Sequence, residues 1–173
     1  MHRIRLARPD DAAAVLELQH RLDTQSKFML LEPGERGQEP DRLRSRLEAQ
    51  EGAASFDLIA ADDEEPDRVI GWLSVEVARF RRARHTGYVV IGVDAAAAGR
   101  GIGRDLLEAA EQEASDRGLR RLELTVMTDN LRALGLYLRS GFRVEGLRLG
   151  ALQRDDAVID EYYMGKLVSG LGG

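Results

Sequence analysis

Apolar and polar positions repeat with two different periods along the chain, and the switches between them mark out the elements. Ile4 and Leu6 alternate with Arg3, Arg5 and Ala7, which predicts a short first strand. Pro9-Asp10-Asp11 opens a helix, because carboxylates there can accept from unpaired N–H groups and negative charge suits a helix N-terminus. Val15, Leu16, Leu18 and Leu22 form its apolar stripe. Pro33, Gly34, Gly37 and Pro40 predict a loop over residues 24–40. A second helix is expected over Asp41–Gln50, with Leu43 and Leu47 inward. Strands over Ser55–Ala61 and Val69–Phe80 flank the acidic turn Asp62–Asp67. Tyr88–Val93 is largely apolar, as a central strand should be. A long helix follows over Gly101–Arg117, with Ile102, Leu106, Leu107, Ala110 and Ala114 on one side and Gly118 as its stop. Leu122, Leu124 and Val126 alternate as a strand, and Asn130–Ser140 is a helix closed by Gly141. Two last strands, near Phe142–Leu152 and Val158–Leu167, form a hairpin across Arg154-Asp155-Asp156.

The order is strand, two helices, three strands, helix, strand, helix, two strands. It predicts a mixed α/β domain around one central sheet. A length of 173 residues suits one domain, taken as residues 1–168 with a short flexible tail over 169–173.

Composition narrows the chemistry. The formal net charge is −5, which disfavours general binding to nucleic acid or anionic membranes. The basic run Arg79–Arg84 reads as a solvated hairpin end. The absence of cysteine excludes disulfides, a thiolate nucleophile and a cysteine-ligated zinc site, and no metal is expected. The first ten residues carry no apolar run after their charges, and no stretch is apolar enough to span a bilayer, so a cytoplasmic protein is expected.

The candidate chemistry sits at Gly99-Arg100-Gly101-Ile102-Gly103, where a buried strand turns into a long helix. Glycines let backbone approach a ligand, and a helix start presents free N–H groups and the positive end of its dipole. The turn therefore suits a phosphate. The dinucleotide fingerprint does not fit, since these glycines fall at first, third and fifth positions; nor is there a Gly-Lys-Ser/Thr triplet. Taken alone, the segment also reads as a plain glycine turn joining strand to helix.

A second block accompanies it. The stretch Val93–Leu107 resembles the coenzyme A loop of the GNAT superfamily of N-acyltransferases. Downstream, Leu122-Glu123-Leu124-Thr125-Val126 is followed by Asn130, Ala133, Tyr137 and Gly141-Phe142, which resembles that superfamily's second motif. The element order is similar to the GNAT fold over nearly the whole chain. The resemblance implies one mostly antiparallel sheet of about seven strands with about four helices and splayed central strands. It also implies acetyl-CoA as co-substrate and a small-molecule amine as acceptor. The tail Val158–Met164 is closest in look to bacterial members acting on amino acids and other small amines.

The same resemblance assigns residue roles. Backbone groups near Ile91 and Val93 would bond the pantetheine arm and polarise the thioester carbonyl. Residues Ala98, Gly99, Arg100, Gly101, Ile102, Gly103 and Arg104 would hold the pyrophosphate. The family usually places Gln or Arg at position 98; with Ala98 only the backbone N–H is expected to contribute, and Arg100 or Arg104 would supply charge. Tyr137 would be the general acid for the departing thiolate. Asn130 reads equally as coenzyme ligand and as helix N-cap, and Ala133 as a small residue that lets the cofactor pass. Glu123 is a candidate base, with a solvated strand carboxylate as its plainer reading. In the loop Ser26–Gln38, Glu32 would attract an ammonium and Phe28 would line the acceptor pocket, against the plainer reading of a self-packed loop. Acetylation of a protein N-terminus or lysine, and non-catalytic acyl-CoA sensing, are the alternatives; a homodimer is also open.

Overall fold

The computed structural model describes residues 1–168; the expected tail over 169–173 lies outside the described residues. Seven strands form one sheet: β1 (His2–Leu6), β2 (Phe56–Asp62), β3 (Val69–Val77), β4 (Thr86–Val93), β5 (Arg121–Met127), β6 (Arg143–Arg154) and β7 (Ala157–Leu167). The four α-helices are α1 (Ala12–Gln25), α2 (Asp41–Glu48), α3 (Ile102–Asp116) and α4 (Leu131–Arg139). The sheet order is β1-β2-β3-β4-β5-β7-β6. Every neighbouring pair is antiparallel except β4 and β5, which run parallel.

The period of two decides which helices cover which face. Leu58, Ala60, Leu73, Val75, Val89, Leu122, Leu124 and Met164 point to one side and pack with Ile102, Leu106, Ala110 and Ala114 of α3 and Tyr137 of α4. Ile59, Val69 and Trp72 face the other side and pack with Val15, Leu18 and Leu22 of α1 and Leu47 of α2. On β4, a methyl at Gly92 would run into the Leu22 side chain, so glycine there lets α1 lie close to the strand.

Element ends depart from the pattern where side chains take over from periodicity. Pro9–Asp11 form a separate short 3-10 turn before α1. Asp11 accepts the Arg8 N–H at 2.7 Å and both terminal nitrogens of Arg5 at 2.6 and 2.8 Å. The strand expected to reach Phe80 stops at Val77, whose N–H is taken by the Ser55 hydroxyl at 3.0 Å. The following strand starts at Thr86, two residues before Tyr88. Gly118 and Gly141 stand at φ 75° and 88° and end α3 and α4 as the sequence predicts.

Candidate active site

The parallel pair β4–β5 holds together over only three positions: Thr86 with Arg121, Gly87 with Leu122 and Tyr88 with Glu123. Beyond Tyr88 the strands part, although β4 runs on to Val93 and β5 to Met127. An unpaired strand edge inside a sheet leaves backbone donors and acceptors for another group to satisfy. Ile91 and Val93 lie on this free stretch of β4 and line the cleft that opens there. The cleft measures about 2180 Å³ and passes through the sheet plane, lined on one side by the α3–α4 face and on the other by the α1–α2 loop. It is larger than a typical small-molecule pocket, with room for a cofactor and an acceptor together.

At its donor end β4 runs into the glycine loop. Asp94, 1% exposed, organises that turn. Its carboxylate accepts the Ala96 N–H at 3.0 Å, Arg21 Nε at 3.2 Å and Gln25 Nε2 at 3.4 Å. Burial alone would raise its pKa; the Ala96 N–H and the Arg21 charge outweigh that and hold the carboxyl below its ordinary value. Gly99 and Gly101 both take φ 82°, a backbone that other residues adopt at a cost. The first helical hydrogen bond of α3 runs from Asp105 N–H to Gly101 C=O at 3.1 Å. The N–H groups of residues 99–104 make none among the described residues, so a row of free donors meets the positive end of a 15-residue helix. These residues fit a pyrophosphate.

Two expectations about this loop change. The Ala98 N–H closes its own turn onto Ala95 C=O at 3.2 Å, so position 98 does not offer that donor; a 3-10 turn over Ala95–Ala97 absorbs it. Arg100 turns away from the cleft, donating to Asp62 Oδ2 at 3.0 Å and to Met1 C=O at 2.6 Å. Arg104 lines the cleft, its guanidinium against Asp105 at 2.8 Å. Gly103 lets α3 lie close to α4, since a methyl there would press on the Leu136 side chain.

Asn130 caps α4, its side-chain oxygen accepting the Ala133 N–H at 3.2 Å, while both residues line the cleft. The cap occupies the oxygen and leaves the amide donors without a partner among the described residues, so the two readings of Asn130 coexist. Tyr137 lies two turns on from Asn130, 8% exposed, edge-on to Phe142 with ring centroids 6.0 Å apart. Its ring borders the cleft, and its hydroxyl makes no hydrogen bond among the described residues. Burial raises its pKa above the ordinary phenol value, with the neighbouring Tyr88 adding to the effect. It therefore stays protonated at neutral pH, as a proton donor must.

The acceptor end is built from other elements. Tyr88, the last residue of β4 paired with β5, shares a 2.7 Å hydrogen bond with the Thr125 hydroxyl of β5 across the fork, and both line the cleft. Phe28 borders the cleft, with Lys27 Nζ at 5.2 Å and the Arg154 guanidinium at 5.6 Å from its ring centre. Arg154 also reaches Asp129 at 2.5 Å, tying the β6–β7 hairpin to the turn before Asn130. Arg36 anchors the α1–α2 loop by two bonds to buried Asp23, at 2.6 and 2.9 Å. Two expected residues are not brought in. Glu32 is exposed on the outer part of its loop and is absent from the cleft lining. Glu123 is likewise outside the lining and is held by Arg121 Nε at 3.1 Å. The carboxylates that do border the cleft include Glu76 of β3 and Glu161 of β7. Sequence reasoning missed Tyr88, Thr125, Arg148 and Glu161; strand alternation places Thr125 and Glu123 on one face, but only the fold shows which of them reaches the fork.

A strand fork, a glycine loop on a helix start and a buried cleft-lining tyrosine define an acyl-CoA-dependent transferase site. The chain belongs to the acetyltransferase (GNAT) family, whose model matches residues 20–142. It is 34% identical over 101 residues to the L-amino acid N-acetyltransferase AaaT of Escherichia coli, covering 57% of this chain and 62% of that one. It is 30% identical over 132 residues to the proposed phosphinothricin acetyltransferase YwnH of Bacillus subtilis, covering 76% and 81%. The chain spans 24–37% of the mycothiol acetyltransferases it matches. Among solved structures, a GNAT-family acetyltransferase from Streptococcus pneumoniae superposes with a TM-score of 0.91 at 29% identity, covering 98% of this chain and 100% of that one. An acetyltransferase from Salmonella typhimurium solved with acetyl-CoA shares the fold, with a TM-score of 0.84 at 22% identity over 99% and 96% of the chains. Family, enzyme class and acetyl-CoA as co-substrate thus agree with the resemblance read from the sequence. Among the described residues there is no cluster of metal-ligating side chains, and no helix is long and apolar enough to cross a membrane.

Proposed function

We propose that the protein transfers the acetyl group of acetyl-CoA to the primary amine of a small molecule, an amino acid or related amine, by direct attack within a ternary complex. The observation that carries this reading is the β4–β5 fork, which places Tyr137 and the glycine loop on one side of the sheet and Tyr88, Thr125 and Phe28 on the other. Acetyl-CoA supplies an activated thioester. The free N–H groups of residues 99–104 hold its pyrophosphate, helped by Arg104, and the unpaired edge around Ile91 and Val93 bonds the pantetheine amides and polarises the thioester carbonyl.

The acceptor loses a proton to become a neutral amine, its nitrogen bonds the carbonyl carbon, and the carbon–sulfur bond breaks. Tyr137 gives its hydroxyl proton to the departing thiolate, and the proton that the new amide nitrogen sheds passes into the solvent-connected cleft, from which Tyr137 is reprotonated. Glu123 lies outside the cleft lining and is not retained as the base; Glu76, which borders the cleft opposite Tyr88 on β3, is the better-placed carboxylate. The names of AaaT and YwnH, one an amino acid acetyltransferase and the other proposed for phosphinothricin, support a small acceptor.

The test is free-thiol release from acetyl-CoA by the purified protein with a panel of amino acids, other small amines and short peptides. Release with amino acids or small amines, matched by N-acetyl product, is expected. Release only with peptides would favour a protein acetyltransferase. Tight acetyl-CoA binding without release would favour a sensor.

A further inference from the structure

The acceptor side of the cleft contains a charged pair that the chemistry above does not use. Glu161 of β7 has only 9% of its side chain exposed and borders the cleft. Its cross-strand partner is Arg148 of β6, whose Nη1 donates to Glu161 Oε2 at 2.7 Å. The Arg148 guanidinium also stacks on the Tyr163 ring of β7, 5.3 Å from its centre. A planar cation held by a ring and a carboxylate has little freedom left to lose on binding.

The pair is not closed on itself. Nη1 carries the single hydrogen bond that Arg148 makes among the described residues. Its side chain is 40% exposed and borders the cleft. The Nε and Nη2 donors therefore stay open, and that edge of a guanidinium matches the two oxygens of a carboxylate. The other cations on this side are placed differently, and Arg154 spends Nη1 and Nη2 on Asp129. Arg36 spends Nε, Nη1 and Nη2 on Asp23 and Gln19. Lys27 lies near Asp129 and Phe28. Arg42 is exposed at the start of α2, on the rim. Position fits as well. The guanidinium lies over β7, which is β5's neighbour, about 4.8 Å away as sheet strands are. Tyr163, the ring under the guanidinium, is the cross-strand partner of Thr125, so Arg148 and the Tyr88–Thr125 fork border the same end of the cleft.

We infer that Arg148 reads the acceptor's carboxylate, with Glu161 and Tyr163 as its positioning residues, so that the substrate class is the free amino carboxylates. This inference rests on the small-amine reading above and goes beyond it by ranking amines that lack the anion below those that carry it.

The experiment compares L-amino acids with the corresponding amino acid amides at pH 9, with KM expressed on the neutral-amine fraction of each, because the carboxylate raises the α-amino pKa of the acid above that of its amide. The wild type should favour the acids by at least about tenfold in KM, the effect of a hydrogen-bonded charge. Arg148→Lys keeps a cation beside Glu161 but loses the fork of donors. It should cut that preference severalfold with kcat, acetyl-CoA KM and Tm unchanged; Arg148→Met should abolish it. Arg42→Ala should leave it intact. Equal use of acids and amides by the wild type would overturn this inference and leave the proposed function standing. A preference that survives in Arg148→Met, or that vanishes in Arg42→Ala instead, would also overturn it. Failure to acetylate any amine would overturn both.

Discussion

The two ends of the cleft are built on different principles. The donor end is backbone: free N–H groups over residues 99–104, two glycines at positive φ and the unpaired edge of β4. The acceptor end is side chains brought from far apart in sequence: Arg36 with Asp23, Arg154 with Asp129, Arg148 with Glu161, Tyr88 with Thr125. A backbone cradle tolerates most side-chain changes but not a change in backbone angle. A side-chain wall can be rebuilt residue by residue without disturbing the cradle. The difference explains how one fold can keep one donor and accept different amines.

That contrast can be broken most sharply at the point where the halves meet. Tyr137→Phe should lower kcat by about 10²-fold, within the usual range for losing a general acid, and change acetyl-CoA KM less than about twofold. Steady-state kinetics with saturating amine check this; an unchanged kcat would remove the assignment. Because burial holds the phenol above its ordinary value, the acid stays protonated through pH 10. A profile of kcat from pH 7 to 10 should therefore show no alkaline fall, whereas an ordinary phenol would begin to lose its proton within that range.

Arg36→Ala should destabilise the fold by about 3 kcal/mol, because it leaves the Asp23 carboxylate buried without its charged partner. Denaturant unfolding measures the loss. In the folded fraction, amine KM should rise while acetyl-CoA Kd stays put, since the loop it anchors borders only the acceptor end. Gly101→Ala should do the converse, costing about 1 kcal/mol through its left-handed backbone and weakening acetyl-CoA without touching amine KM. The smallest effect is expected for the two arginines of the loop. Arg104→Ala should raise acetyl-CoA KM severalfold, and Arg100→Ala should not, since its guanidinium is committed to Asp62 and Met1.

The same contrast sets how much was legible in the chain. Hydrophobic alternation and glycine stops are local, so the order of the elements and the apolar faces of α1 and α3 could be read directly. The Gly99–Gly103 loop and the Asn130–Tyr137 helix are local too, and they carried the donor end. Strand ends at Val77 and Thr86 were not legible, because a distant hydroxyl, Ser55, settles the first of them. Nor was the fate of the Ala98 N–H, which depends on whether the chain makes one extra 3-10 turn. Arg100 was misplaced for a similar reason: its partner Asp62 lies 38 residues away. At the acceptor end, Glu123 and Thr125 share a strand face, and no local signal shows that Thr125 reaches Tyr88 while Glu123 is drawn to Arg121.

The most direct test of the fork as the catalytic centre is a crystal structure of the protein with coenzyme A. The account predicts the pyrophosphate on the N–H groups of residues 99–104, the pantetheine arm along the free edge of β4 between Val89 and Val93, and the sulfur within hydrogen-bond reach of the Tyr137 hydroxyl. Coenzyme A bound elsewhere, or a sulfur on the far side of the sheet from Tyr137, would contradict it.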